Sequence, residues 1–358
     1  MIQNPLRILV VRLGAMGDIV HALAAVASLT RGFANARLTW AIEPQWADLL
    51  EANPFVDRVI RLRRRSASGL LASWRELRSA RFDLAVDFQG LLKSAVVAAA
   101  ARPERIFGWD RAQLREAAAG VFYTNRASSA AAHVVDRNLD LAVAAGARER
   151  LRVFPLPAGR PEAPLPEGEF VLASPAAGWR AKQWPIENYL ALGRLLRREL
   201  RLPLVLNGPP GSHWTGGLTD GSVCPTLPAQ DSRPGGAGAF ACQPAASQLP
   251  AAESVCPHAC GLPGLIDATR RAAAVVGVDS GPMHLAAALS KPGVALFGPT
   301  DPERNGPYGG SLRVLRAPGA VTTYKRLGEI DESMRRLAVE EVFEALRGAL
   351  GHSACEPQ

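Results

Sequence analysis

The sequence predicts an α/β protein built as two Rossmann-like parallel-sheet domains facing each other across a cleft. Three observations predict it. Strand-like and helix-like segments alternate through residues 7–145 and again from residue 170, the pattern of parallel sheets with helices on both faces. Between the two series, Phe154–Gly168 holds five prolines and reads as a stiff, extended linker. The polar turn segments fall where strand-like runs end, which is where open α/β sheets bind ligands. At 358 residues the chain has room for two domains of ordinary size. The expected division is a first domain at 1–157, a linker at 158–168, a second domain at 169–335 and a C-terminal helix and tail at 336–358.

In the first series, the apolar run at Arg7–Arg12 is a strand. The loop Leu13–Asp18 leads into a helix at Ile19–Thr30, where Leu and Ala recur at helical spacing. Arg37–Ile42 is a strand, Trp46–Ala52 a short helix, Val56–Leu62 a strand and Gly69–Ser79 a helix. Leu84–Asp87 is a strand, Leu91–Ala101 a helix, Arg105–Gly108 a strand and His133–Ala145 a helix. In the second series, Phe170–Ser174 is a strand, Pro185–Glu199 a helix and Leu204–Asn207 a strand. Residues 208–262 then interrupt the pattern. They are rich in Gly, Pro, Ser and Ala without helical or alternating period, and are expected to form an irregular insertion or to reflect a sequence artefact. A strand at Ala274–Val278 stops at Asp279-Ser280-Gly281-Pro282, a helix follows at once, and a second strand at Val294–Phe297 stops at Gly298-Pro299-Thr300. A final helix at Val339–Leu350 is expected to pack back across the first domain.

Apolar residues make up 48% of the chain and charged residues 21%, a soluble composition with no run long enough to span a membrane. The N-terminus enters a strand directly, without the pattern of a signal peptide, so a cytoplasmic location is expected. The cysteines Cys224, Cys242, Cys256, Cys260 and Cys355 are then expected to be mostly reduced. The net charge of +8 is uneven: residues 1–160 carry +9 and residues 161–358 carry −1. The first half therefore favours an acidic partner, with Arg58, Arg61, Arg63, Arg64 and Arg65 clustered after a strand. Interleaved aromatics, zinc-finger spacing and helix-turn-helix patterning are missing there, which argues against nucleic acid. A solvated arginine-rich surface is the plainer reading, in a chain with 37 Arg to 4 Lys.

Four segments are candidates for chemistry. In Leu13-Gly14-Ala15-Met16-Gly17-Asp18 the glycines permit a tight turn and close ligand approach, and Asp18 sits at a helix start where the dipole favours a carboxylate suited to a general base. An ordinary N-cap Asp is the alternative. The loop matches neither a dinucleotide fingerprint nor a P-loop. Asp87-Phe88-Gln89-Gly90-Leu91-Leu92-Lys93-Ser94 offers Gln89 and Lys93 for hydroxyls and acidic groups, or merely a capped turn with a snorkelling lysine. Ala176-Ala177-Gly178-Trp179-Arg180-Ala181-Lys182 admits a ligand beside small residues, with Arg180 and Lys182 to hold phosphate. In Asp279-Ser280-Gly281-Pro282-Met283-His284, Ser280 suits the N-cap and the helix N-terminus suits an anion such as a diphosphate. A well-capped structural helix would read the same way. Cys256-x₃-Cys260 with His258 fits no common zinc spacing, and neither a metal nor a cofactor is expected.

Taken together, the segments resemble glycosyltransferase family 9, the lipopolysaccharide heptosyltransferases, in particular the heptosyltransferase I branch. The resemblance rests on Arg12-Leu-Gly-Ala-Met-Gly-Asp18-Ile-Val-His21, Asp87-Phe-Gln-Gly-Leu-Leu-Lys-Ser94, His133-Val-Val-Asp-Arg137, Lys182-Gln-Trp-Pro185, Asp279-Ser-Gly-Pro-Met-His284 and Gly298-Pro-Thr-Asp301, all in the family's order. It covers most of residues 5–207 and 262–350. It implies the GT-B fold and an inverting transfer of heptose from ADP-heptose to a Kdo sugar of the lipopolysaccharide inner core (Kdo-lipid A). Asp18 takes the family's catalytic base. Lys182, Ala177, Gly178, Asp279, Ser280, Gly281 and His284 fall at the donor site, and Gly14, Ala15, Gly17, Gln89, Lys93, Arg63 and Arg64 at the acceptor site. The chain has no Asp-x-Asp pair, so metal-independent transfer is expected. The implied setting is peripheral contact with an anionic membrane surface, on the cytoplasmic face of the inner membrane. Two departures stand out. Ala177 and Gly178 replace hydroxyl residues common in the family, and Gly208-Pro-Pro-Gly-Ser212 lacks its ribose-binding acid. A sugar-nucleotide epimerase of the same fold and a non-catalytic protein with a decayed donor site are the competing readings.

Overall fold

The structure, a computed structural model, describes residues 5–33, 35–212, 254–323, 325 and 328–353. Residues 213–253 of the expected insertion, with Cys224 and Cys242, and the tail with Cys355 lie outside the described residues.

The first half lays down strands β1 (Arg7–Val11), β2 (Arg37–Ile42), β3 (Arg58–Arg61), β4 (Leu84–Asp87), β5 (Arg105–Trp109) and β6 (Asn125–Ala127). They form one parallel sheet in the order β3-β2-β1-β4-β5-β6. Helices α1 (Met16–Gly32), α2 (Ala67–Ser79), α3 (Leu92–Ala100) and α4 (Val134–Ala144) cover its faces. The strands read as near-continuous apolar runs because both faces are covered: Ile8, Val10 and Trp40 pack towards α1, and Leu9, Val11 and Ala85 towards α2 and α3.

The second half repeats the plan. Strands β7 (Val171–Ser174), β8 (Leu204–Gly208), β9 (Val255–Ala259), β10 (Ala274–Val278), β11 (Gly293–Phe297) and β12 (Leu312–Arg316) form a parallel sheet in the order β12-β11-β10-β7-β8-β9. Counted within its own half, each sheet has the order 3-2-1-4-5-6, so each reverses direction between its first and fourth strands, at β1/β4 and at β7/β10. Crevices open at these switch points beyond the carboxyl ends of the strands. Helices α5 (Ile186–Leu200), α6 (Leu262–Arg271), α7 (Gly281–Ala288), α8 (Pro302–Asn305), α9 (Glu332–Arg335) and α10 (Val339–Ser353) complete this half.

Two expectations need correction. The segment 208–262 is not irregular throughout: β9 lies inside it, pairs with β8 from Leu204↔Val255 to Gly208↔Ala259, and completes the sheet at its edge. Pro257 in the middle hides it, and an edge strand is one of the few places where a sheet tolerates proline. Immediately after it, α6 buries Leu265, Ile266 and Thr269, residues at helical spacing. The final helix does not return to the first domain. Val342, Phe343 and Leu346 of α10 pack with Leu192 and Leu196 of α5 over the second sheet.

The Pro-rich stretch runs extended along the second half. The Arg270 guanidinium donates to the carbonyls of Leu156 and Pro157, and the Glu162 carboxylate accepts the Gly261 N–H. The halves also meet directly at the N-terminal ends of α1 and α7. A Cβ on Gly281 would lie 2.8 Å from Met16, and one on Gly17 would lie 2.4 Å from the His284 ring. Only glycine at these positions lets the two helix tips approach so closely.

Candidate active site

The first crevice is built around the loop from β1 to α1. The helix begins three residues earlier than its apolar pattern suggests, with Ala15 as N-cap, so Asp18 is the third helical residue rather than the cap. One oxygen of Asp18 accepts the Ala15 N–H at 3.2 Å, and the other lies 2.7 Å from the Arg12 guanidinium. Arg12 is buried beneath it and donates to the Phe88 carbonyl at 2.8 Å, while the Asp18 side chain is 45% exposed. The carboxylate is thus oriented from below and open from above, which is the geometry required of a base that meets a substrate hydroxyl.

Asp87 fixes the facing wall. Its carboxylate is fully buried and accepts four bonds, from the N–H groups of Gln89 and Gly90, Ser94 Oγ and Tyr123 Oη. Burial pushes its carboxyl above the ordinary range against the pull of those donors. Held this way, the turn presents Gln89, whose Oε1 accepts the Leu13 N–H at 2.9 Å and clamps the Asp18 loop. Lys93, Arg63 and Arg64 are exposed along the same edge, Arg64 in an ion pair with Glu43. Gly14 faces Trp46, and Ala15 is exposed at the loop's tip. Gly17, expected to border the acceptor, is buried and seats the His284 ring of the other half.

The second crevice gathers the ends of β7, β10 and β11. The Lys182 ammonium lies 2.6 Å from the Asp279 carboxylate, also donates to its backbone carbonyl at 3.2 Å, and sits 5.2 Å over the Trp179 ring. Burial alone would raise the Asp279 carboxyl. The facing His284 and the Lys182 charge outweigh it and hold the group well below the usual carboxylate range. Trp184, buried, donates its indole N–H to the Leu337 carbonyl and anchors the Lys182 turn.

Ser280 is the N-cap residue of α7, but its hydroxyl does not bond the helix as its type suggested. Its Oγ and the Oγ1 of Thr300 are buried without a hydrogen-bond partner. An unsatisfied buried hydroxyl costs about 1–3 kcal/mol. Ser280 stands at the α7 N-terminus next to the Asp279–Lys182 pair, and Thr300 follows the neighbouring strand β11. The two hydroxyls thus end adjacent strands where a cation and a helix N-terminus can form a cradle for an anion with several acceptor oxygens. Ala177 is half-buried and Gly178 exposed at its rim, with nothing within 4 Å of where a Gly178 Cβ would stand. Gly281, partly buried, also takes part in the helix-tip contact with Met16.

Sequence reasoning missed the link between the crevices. The Nε2 atom of His284 faces Asp279 at 3.7 Å, and its Nδ1 lies 3.2 Å from Nε2 of His21 on α1. His133, the N-cap of α4, stands edge-on to His21 with ring centroids 5.5 Å apart and reaches the Gly306 carbonyl. His21, Arg12 and Thr300 all stood inside or beside quoted motifs. The signal available for them was a polar residue within an otherwise apolar face. At β9, Asn207 Oδ1 accepts from Cys260 Sγ at 3.1 Å and lies 3.2 Å from His258 Nδ1. Burial pushes the Cys260 thiol up to about 12, leaving it a neutral donor.

Two similarly wound sheets, with an open carboxylate in one crevice and an anion cradle in the other, define a two-domain group transferase. The sequence model of glycosyltransferase family 9 (heptosyltransferase) matches residues 70–210 and 240–329. Lipopolysaccharide heptosyltransferase 1 of Pseudomonas aeruginosa is 31% identical, over 86% of this chain and 82% of its own. Its Escherichia coli K12 counterpart is 26% identical, over 87% and 94%. The E. coli heptosyltransferase WaaC, solved with ADP, shares the fold at a TM-score of 0.70 and 23% identity, covering 95% of this chain and 98% of that one. The chain belongs to glycosyltransferase family 9, the heptosyltransferases, and its fold is GT-B.

Proposed function

We propose that this glycosyltransferase moves heptose from ADP-heptose to a Kdo sugar of the lipopolysaccharide inner core, with inversion at the anomeric carbon and without a metal. The half before the Pro-rich segment 158–168 binds the acceptor and the half after it binds the donor. Asp18 takes the proton from the acceptor hydroxyl as that oxygen attacks the anomeric carbon. The bond to the ADP phosphate breaks on the opposite face, and the leaving diphosphate carries its charge into the cradle of Lys182, Ser280, Thr300 and the α7 N-terminus. Gln89, Lys93, Arg63 and Arg64 line the edge along which an acceptor bearing Kdo carboxylates and lipid A phosphates would lie. Such an acceptor places the protein peripherally at an anionic membrane face, which fits the +9 balance of residues 1–160.

The observation that carries the reading is the pairing of an open, oriented carboxylate with a cradle of unpartnered hydroxyls across one helix-tip contact. The test is transfer by the purified chain, supplied with ADP-heptose and Kdo-lipid A in the presence of a chelator. One added heptose by mass, with the opposite anomeric configuration by NMR, is expected. Folded protein giving no mass gain overturns the reading.

A further inference from the structure

Helix α2 faces the wrong way for a helix whose only task is to cover a sheet. Its buried positions are Gly69, Ser73 and Leu77, two of them small. Its large apolar residues point to solvent: Leu70 is 54% exposed, Leu71 48% and Trp74 42%. The next helix in the same layer, α3, touches α2 and adds exposed Leu92 and Val96. A soluble surface tolerates single exposed apolar residues, but clustered ones signal a partner.

The surroundings say which partner. Residues 61–78 carry six arginines against one carboxylate, Glu76, and that one is ion-paired to Arg58. Arg63, Arg65 and Arg75 are exposed, and Arg78 stacks over Trp74 at 5.6 Å from the ring centroid. Leu and Trp on one face, ringed by arginine, is the composition of a helix lying in the headgroup layer of an anionic bilayer. A second copy of the chain fits poorly, because a two-fold contact would bring the same basic rim against itself.

We propose that the outer face of α2 docks on a membrane containing anionic lipid, with Leu70, Leu71 and Trp74 at the headgroup–acyl boundary and Arg63, Arg65 and Arg75 on lipid phosphates. The start of α2 lies at the carboxyl edge of the sheet, the edge that carries Asp18, so docking there sets the cleft mouth beside the lipid. The proposal rests on the heptosyltransferase reading only for the need of a membrane-borne acceptor.

The test is sedimentation of the full chain with phosphatidylcholine vesicles and with vesicles in which about a third of the lipid is phosphatidylglycerol. Binding to the anionic vesicles alone is expected, weakened by added salt. The triple variant Leu70→Gln/Leu71→Gln/Trp74→Gln should lose about 10-fold or more in vesicle affinity. Its melting temperature and its transfer to a deacylated, water-soluble acceptor should be unchanged. Three results overturn the proposal: a wild type that ignores anionic vesicles, a triple variant that binds them as well as the wild type does, or a wild-type dimer that the variant dissociates, which assigns the face to self-association. Vesicle binding without transfer to the soluble acceptor would instead count against the heptosyltransferase reading and leave the docking face standing.

Discussion

The two crevices share a strand order and a position at the switch point, yet their charges are stacked in opposite sequence. In the first half the cation is inside: Arg12 is buried, and Asp18 stands above it in the cleft. In the second half the carboxylate is inside: Asp279 is buried against His284, with the Lys182 ammonium paired to it. The helix tips differ in the same sense. The first turn of α1 is met by its own Asp18 carboxylate, while Ser280 at α7 leaves its hydroxyl unspent and Thr300 does likewise. One winding thus yields two opposite sites, one that keeps a negative charge and one prepared to receive it. The backbone supplies the place, and a few side chains decide the sign.

The largest expected effect comes from removing the first half's charge. Asp18→Asn keeps the side chain's size and its contact with Ala15 but cannot accept a proton. Transfer should fall by about 10²–10⁴-fold. ADP binding, measured by calorimetry, should stay within a factor of two or so, since Lys182, Ser280 and Thr300 are untouched. Near-normal turnover would remove Asp18 as the base and dissolve the contrast between the crevices.

Next comes the second half's cation. Lys182→Ala takes away the charge facing a diphosphate and leaves Asp279 buried without its ion-pair partner. Unpairing a buried charge costs about 3–5 kcal/mol, so a lower melting temperature is expected together with an ADP affinity weakened by about 100-fold. The double variant Lys182→Ala/Asp279→Asn should recover stability but not affinity. Recovery of both would mean that the lysine serves the fold rather than the ligand.

Ser280→Ala separates packing from binding more gently. Its hydroxyl has no partner in the free protein, so deletion should leave stability unchanged or slightly raised. If the hydroxyl meets the donor, ADP affinity drops by about 5–10-fold, the value of one ordinary hydrogen bond. A titration identical to the wild type would take Ser280 out of the cradle.

Sequence reading succeeded where local rules and tertiary structure agree. β1, β2, β4 and β5 show as apolar runs because they are buried on both faces, whereas the edge strand β3 (Arg58–Arg61) shows only through Val59 and Ile60. Asp279 directly follows β10, and Asp18 and Lys182 lie in the segments that leave β1 and β7, on the side where the strand order makes crevices. The misses have equally physical causes. β9 carries a proline that its edge position excuses, and β6 is three residues long, too short to show a period. Gly14–Gly17 has the composition of a loop, so the apolar pattern puts the start of α1 late, although Ala15 caps the helix through backbone geometry and Asp18. The roles of Gly17 and Gly281 depend on a helix from the other half, and spacing within one segment contains no information about that contact. For the same reason the histidine link stayed hidden: His21, His133 and His284 are far apart in sequence and meet only after both halves are folded.

That link carries the smallest effect and the sharpest sign. Burial, reinforced by the neighbouring His284 and His133, holds the His21 imidazole well below its ordinary range. Below about pH 6.5 the unfolded chain takes up a proton at His21 that the folded chain refuses, so stability is full above that pH and declines as the pH falls. One such group gives a slope of up to about 1.4 kcal/mol per pH unit. Burial depresses His133 and His258 too, so His21 supplies a share of the acid limb rather than all of it. His21→Gln keeps a side-chain N–H for His284 and removes the titration. Urea unfolding at stepped pH from about 5 to 8 should show parallel curves above pH 7 and a shallower acid limb in the variant. An unaltered acid limb would place the pH response elsewhere and leave His21 as a simple spacer between the helix tips. A shallower limb with unchanged ADP affinity would mean that the link couples the halves in folding but does not reach Lys182 and Ser280.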